Sequence, residues 1–128
     1  MRSTPALLIA LLLFLVACAP VSAPSEPADA WTLVVADGGP GDGPGMSVAD
    51  AFAHGPTDDL VSVSGALFVD ADGTVRLCDA IAESFPPQCG GASIEVTGLD
   101  LSTVPDLQEA NGVRWAESVV LLGSVEAA

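Results

Sequence analysis

The chain has 128 residues, half of them hydrophobic, a length that suits one compact domain. It carries 17 acidic residues, three arginines and no lysine, for a formal net charge of −14 at pH 7. Because such a surface repels phosphate groups, the composition argues against nucleic acid as a partner and makes anionic lipid headgroups unfavourable ones.

The N-terminus has the pattern of a secretory signal peptide. Arg2 precedes an unbroken apolar run over residues 6–17. That run is too short to span a bilayer, which needs about 20 residues. A basic start, an apolar core and small residues at its end are typical of an export signal. A buried N-terminal helix is the alternative, but the run has no polar positions to face solvent.

The end of the apolar run is more specific. Leu15-Val16-Ala17-Cys18 resembles the lipobox of bacterial lipoproteins, in which two aliphatic or small residues and a small residue precede a cysteine. The resemblance implies cleavage after Ala17 and a diacylglyceryl group on the Cys18 sulfur. Residues 1–17 would then be a lipoprotein signal peptide, and the acylated Cys18 would anchor the chain to the extracytoplasmic face of the cell membrane.

Residues 18–30 are dominated by Pro, Ala and Ser, with Val21 the only large apolar side chain. Such a segment cannot bury enough apolar surface to offset its loss of entropy on ordering, so we interpret it as a flexible tether. The remaining residues, 31–128, are predicted to form a single compact β domain.

The first part of this domain combines a strand-like segment, a loop and a short helix. Residues 31–36 have strand character, and the glycine- and proline-rich residues 37–45 predict a loop. Its aspartates could suggest calcium, but the GGxGxD repeat pattern is not matched. Residues 47–53 predict a helix capped by Ser47, with Asp50 completing a capping-box pattern. His54, the only histidine, is interpreted as a C-terminal cap rather than a ligand or base.

From Leu60 onward the hydrophobic period changes to two, which indicates strands. Residues 60–70 and 74–78 predict a hairpin, with a bend at the interior Gly65. The turn DADG does not continue as an EF-hand loop.

Further strands are predicted over residues 93–97, 113–115 and 118–126, with a short helical connection between the first two of these. This order predicts a mainly β fold, a small five-stranded OB-like Greek-key barrel with short helices. A small β-sandwich is the alternative.

The stretch LCDAIAESFPPQCGG, residues 77–91, carries a second resemblance. From about Gly45 the chain resembles small uncharacterised lipoproteins of high-GC Gram-positive bacteria, with the motif LCxxxxxSxPPxCGG. This resemblance implies the same compartment and an OB-like domain, and it implies no activity.

If Cys18 is acylated, Cys78 and Cys89 remain as a pair in an oxidising compartment, which predicts a structural disulfide. Their spacing does not match the CxxC of redox centres, and one histidine is too few for a Cys/His zinc site, so we predict neither metal nor cofactor. Within the loop, Asp79 is expected to cap a helical turn over residues 80–84, and Phe85 to pack inward. Either Pro86 or Pro87 could follow a cis bond.

No nucleophile–base motif occurs, so an enzyme is not predicted, and a hydrolase using a carboxylate pair is a less favoured alternative. We predict a membrane-anchored binding or scaffolding module of the cell envelope, with an envelope protein as a possible partner. The alternative is a structural or accessory subunit of an envelope transporter or wall-building assembly. Asp79, Glu83 and Gln88 form the candidate binding rim.

Overall fold

The computed structural model describes residues 31–127 and shows a mainly β domain, as the sequence predicts. Cys18, the signal peptide and the tether lie outside the described residues. The elements in chain order are β1 Trp31–Pro40, α1 Val48–His54, β2 Thr57–Val69, β3 Val75–Ala82, β4 Gln88–Thr97, a 3-10 helix at Leu101–Thr103, β5 Gln108–Ala110 and β6 Val113–Ala127. Between residues 31 and 127, no helix has the length and apolar character needed to cross a membrane.

The six strands form one sheet in the order β1-β4-β3-β2-β6-β5. β1 pairs in parallel with β4, where Thr32 lies beside Glu95. β1 also pairs antiparallel with β6, where Trp31 lies beside Ala127. The hydrogen-bonded neighbours therefore run in a cycle from β1 through β4, β3, β2 and β6 back to β1, while β5 lies outside the cycle and pairs with β6.

The strand boundaries differ from the sequence prediction at several places: β2 begins at Thr57, β3 ends at Ala82 and β4 begins at Gln88, and β5 is an additional strand where a helical connection is predicted. β1 continues to Pro40 instead of ending before the predicted loop. The predicted fourth and fifth strands are one continuous strand, β6. Gly65 pairs with Val119 and Leu67 with Ala116, so β6 carries one extra residue opposite β2 at this point. This bulge shifts the inside–outside alternation at exposed, polar residues, which explains why the sequence pattern suggested a break.

Two interior glycines are required by close approach of neighbouring strands. A Cβ on Gly65 would lie 2.5 Å from the carbonyl oxygen of Cys78, and one on Gly123 would collide with the carbonyl of Val34. The shift in β2–β6 register lies beside Gly65, the glycine at which the sequence predicts a bend.

One main hydrophobic core packs on the sheet, and α1 contributes Val48 and Ala51 to it. The largest fully buried side chains are Leu33, Leu67, Leu77, Ile94 and Leu121. Each such side chain contributes about 1.5–3 kcal/mol relative to an exposed one. Phe52 of α1 also meets Trp31 edge to face, with ring centroids 6.1 Å apart, which fixes the helix beside the start of β1.

Candidate functional site

A disulfide joins Cys78 in β3 to Cys89 in β4, with the two Cα atoms 5.7 Å apart, and this confirms the predicted pairing. The sulfurs belong to a second, smaller hydrophobic cluster in which Cys78 packs with Phe68 and Trp115. Because Cys78 is fully buried, the bond fixes the base of the β3–β4 connection from inside this cluster.

The segment closed by the disulfide is not the helical turn that the sequence predicts. β3 continues to Ala82 and β4 begins at Gln88, so the segment is an extended hairpin. The connecting loop is ordered locally by Ser84, whose backbone N–H donates to the Ala82 carbonyl and whose hydroxyl donates to the Pro86 carbonyl at 2.9 Å. The Phe85–Pro86 peptide bond is cis.

Phe85 was expected to pack inward, and that expectation is wrong, because its side chain is 80% exposed. The apolar space beneath the hairpin is filled by the disulfide and by Ile81, which pack on the Phe68–Trp115 cluster. The loop therefore presents an aromatic ring to solvent.

Asp79 caps a helix, but not the one that the sequence predicts. Its Oδ1 accepts a hydrogen bond from the Val48 backbone N–H at 2.7 Å, and its Oδ2 accepts one from Ala49 at 3.1 Å. The predicted cap Ser47 is confirmed, since its Oγ accepts from the Asp50 N–H at 3.0 Å and its carbonyl accepts from Ala51. The backbone N–H groups of residues 48–51 thus all have acceptors, two of them supplied by a residue on β3.

An open pocket of about 360 Å³ lies between the end of β3, the loop and the bulge of β6. Its lining residues are Ala66, Asp79, Ala80, Ile81, Ala82, Glu83, Ser84, Pro87, Trp115 and Glu117. The charged members of this set are all carboxylates. Trp115, Ile81 and Pro87 supply its apolar wall.

Two members of the predicted rim, Asp79 and Glu83, line this pocket, whereas Gln88 is exposed at the start of β4 and is not among its lining residues. Sequence reasoning missed Trp115 and Glu117, which reach the pocket from β6. The signal that points to Glu117 is its place in the bulge, and bulges commonly redirect side chains beside binding sites.

Neither arginine of the described residues is among those that line this pocket. Arg76 is opposite Phe68, and Arg114 is opposite Val69, so both flank the last two residues of β2. Nε of Arg76 is 3.9 Å from Oδ2 of Asp70, so the two side chains form an ion pair at the turn between β2 and β3. The charged side chains at the loop end of the hairpin are carboxylates, and Arg76 lies near the start of β3.

Two other aspartates have lowered pKa values for local, structural reasons. The Thr74 backbone N–H donates to Asp72 at 2.9 Å, and its hydrogen bonds are the main cause that lowers the pKa of Asp72. The hydroxyl and backbone N–H of Ser102 do the same for the pKa of Asp100. These carboxylates stabilise a turn and the 3-10 helix.

Over residues 31–127, no group of three or more His, Cys, Asp or Glu side chains is placed to hold a metal ion. Every buried side-chain nitrogen or oxygen in the same range has a hydrogen-bond partner.

The chain matches no model of a known protein family, and comparison with curated proteins and with solved structures finds no match either.

Proposed function

We propose that this chain is a membrane-anchored extracytoplasmic lipoprotein whose β domain acts as a binding or scaffolding module of the cell envelope. The observation that carries the proposal is the disulfide-closed hairpin, which holds the exposed Phe85 beside the pocket lined by Glu83 and Glu117. A contact loop that is ordered before binding loses less conformational entropy when a partner docks. A covalently closed loop with an exposed aromatic ring suits that role.

The cycle of strand pairings supports an OB-like barrel as the finer description of the fold. β2, β3 and β4 would be its first three strands and β6 its fourth. β1 would take the place of the last strand, next to β4 and parallel to it, although it comes first in the chain. A sandwich fits less well, because β1 hydrogen-bonds to both β4 and β6 and so joins the strands that two separate sheets would keep apart.

The anchor rests on the sequence Leu15-Val16-Ala17-Cys18, and the disulfide supports an oxidising compartment on independent grounds. Acylation at Cys18 with two or three chains would give stable attachment, whereas a single chain would give marginal binding. On this proposal residues 18–30 hold the domain at the outer face of the membrane.

The test compares the full-length wild type with Cys18→Ser in a bacterial host that processes lipoproteins. The wild type should incorporate labelled palmitate and sediment with membranes, and Cys18→Ser should do neither. After crosslinking in cells, a protein partner that copurifies with the wild type and is identified repeatedly would support scaffolding, and a copurifying small molecule would support ligand binding. A wild type that takes up no palmitate and stays out of the membrane fraction would refute the proposal.

A further inference from the structure

The register of the sheet places the disulfide-closed loop and the start of the domain at the same end. β1 and β4 run parallel, and Thr32 beside Glu95 puts Trp31 level with Ile94. β4 starts earlier, at Gln88, so it extends past the start of β1 by the length from Gln88 to Ser93. At about 3.3 Å per residue, this is roughly 20 Å of strand, directed toward the side from which the chain enters β1.

The length of chain before β1 limits how far this loop can stand from an anchored Cys18. Residues 18–30 number 13, and a fully extended chain of that length spans at most about 45 Å. Because the loop extends past the start of β1 on the side from which the chain enters this strand, a tether of this length can bring the membrane surface to its tip. Phe85 would therefore work within a few nanometres of the membrane surface.

The charges around the loop favour a basic protein over the lipid itself. Glu83 lies two residues before Phe85, and Glu117 borders the adjoining pocket. Neither arginine of the described residues lines this pocket, so the charges that it presents are carboxylates, which repel an anionic headgroup. A carboxylate-lined pocket beside an exposed aromatic ring instead complements lysine or arginine side chains that surround an apolar site.

We propose, resting on the function proposed above, that the Phe85 loop and its pocket form the docking surface for a basic extracytoplasmic segment of an integral membrane protein in the same membrane. Phe85 inserts into an apolar site on that protein. Glu83 and Glu117 pair with its basic side chains, and the disulfide keeps the loop in the geometry that docking needs.

The test places a photo-crosslinking amino acid at position 85 of the full-length protein in its native membrane. Matched positions are Leu60, the other exposed large hydrophobic residue of the described chain, and Ala71, in the turn at the opposite end of the hairpin. We expect position 85 to give a discrete adduct at least several-fold stronger than either control, and mass spectrometry to identify an integral membrane protein linked through a segment rich in lysine or arginine.

A charge-reversal pair then tests the mode of contact. Glu83→Lys should reduce the adduct several-fold, and a reciprocal Lys→Glu or Arg→Glu change in the linked segment should restore it. A lipid adduct, equal yields at positions 85, 60 and 71, or no adduct at position 85 in protein shown to be acylated would each overturn the inference. Absence of acylation at Cys18 would instead overturn the function on which it rests, so the two failures are distinguishable.

Discussion

The carboxylate of Asp79 holds the first residue of α1: its Oδ1 accepts the Val48 backbone N–H at 2.7 Å, across 31 positions of sequence. Asp79 directly follows the disulfide cysteine Cys78, so the hairpin that carries the exposed loop and the helix that packs on the core share one hydrogen-bonded junction. A substitution that removes this hydrogen bond should therefore destabilise both the hairpin and α1.

Replacing Asp79 by Ala should destabilise the domain by about 1–2 kcal/mol, because two backbone donors of α1 lose their acceptor near the positive end of the helix dipole. Asp79→Asn should cost less, since an amide keeps one acceptor oxygen. The measurement is urea unfolding followed by tryptophan fluorescence. Glu83→Gln is the control, because it removes a neighbouring charge without touching the cap. Equal midpoints for Asp79→Ala and Glu83→Gln would contradict the role of the cap.

Removing the disulfide through Cys78→Ala with Cys89→Ala should lower the melting temperature substantially. A loop of this size contributes roughly 3 kcal/mol in the chain-entropy account, which corresponds to roughly 10–20 °C for a domain of this length. Scanning calorimetry on the double variant measures the shift. Thiol labelling of the unmodified protein should find neither Cys78 nor Cys89 reactive under native, non-reducing conditions. Two reactive thiols at these positions, or an unchanged melting temperature, would rule out the stabilising role.

Gly123→Ala should be among the most damaging small substitutions in the domain, because its methyl group would collide with the Val34 carbonyl where β6 meets β1. We expect a loss of roughly 3 kcal/mol or failure to accumulate as folded protein. Gly90→Ala is the matched control, since its Cβ would meet its nearest atom at an ordinary 3.6 Å. Thermal unfolding followed by circular dichroism compares the stability of the two variants. Tolerance of Gly123→Ala equal to that of Gly90→Ala would mean that β1 and β6 are not so closely paired.

The lowered pKa values of Asp72 and Asp100 predict how the stability of the domain depends on pH. Their pKa values in the folded chain lie below the ordinary 3.8, so their contribution to stability is present above that pH and is lost as the pH falls through the folded values. The double variant Asp72→Asn with Asp100→Asn should therefore be less stable than the wild type near neutral pH. The difference should shrink below about pH 3.5. Urea unfolding midpoints of the wild type and the double variant, measured near neutral pH and at acidic pH, test this. A difference between the two proteins that widens on acidification would contradict the stabilising role of these carboxylates.

The sequence predicts those helices and strands that depend on residues close to one another in the chain. Alternation of apolar residues located β2 and the Ser47 cap located α1, because each depends on neighbours within a few positions. The continuity of β6 was missed because a bulge at Glu117 breaks the alternation that marks a strand. The pairing of β1 with β4 and β6 is a tertiary interaction, and no local sequence pattern indicates it.

The candidate site was predictable to the same extent. The disulfide followed from the cysteine inventory together with the lipobox resemblance, and two of the three rim residues do line one pocket. The sequence predicts that Asp79 caps a helical turn of its own, because an aspartate followed by Ala80-Ile81-Ala82-Glu83 has the local pattern of an N-cap. The extended pairing with β4 overrides that preference and turns the carboxylate toward α1 instead. Trp115 and Glu117 come from a distant strand, and their neighbours in the sequence do not connect them with this pocket.

The central claim is that an acylated, disulfide-closed chain begins at Cys18, and an intact-mass measurement tests it most directly. The full-length gene is expressed in a lipoprotein-processing host, and the membrane-extracted product is alkylated without reduction. We predict the mass of residues 18–128 plus a diacylglyceryl group, with or without a further acyl chain, and no alkylation at Cys78 or Cys89. A chain that retains residues 1–17, or one with an unmodified Cys18 thiol, would contradict the account.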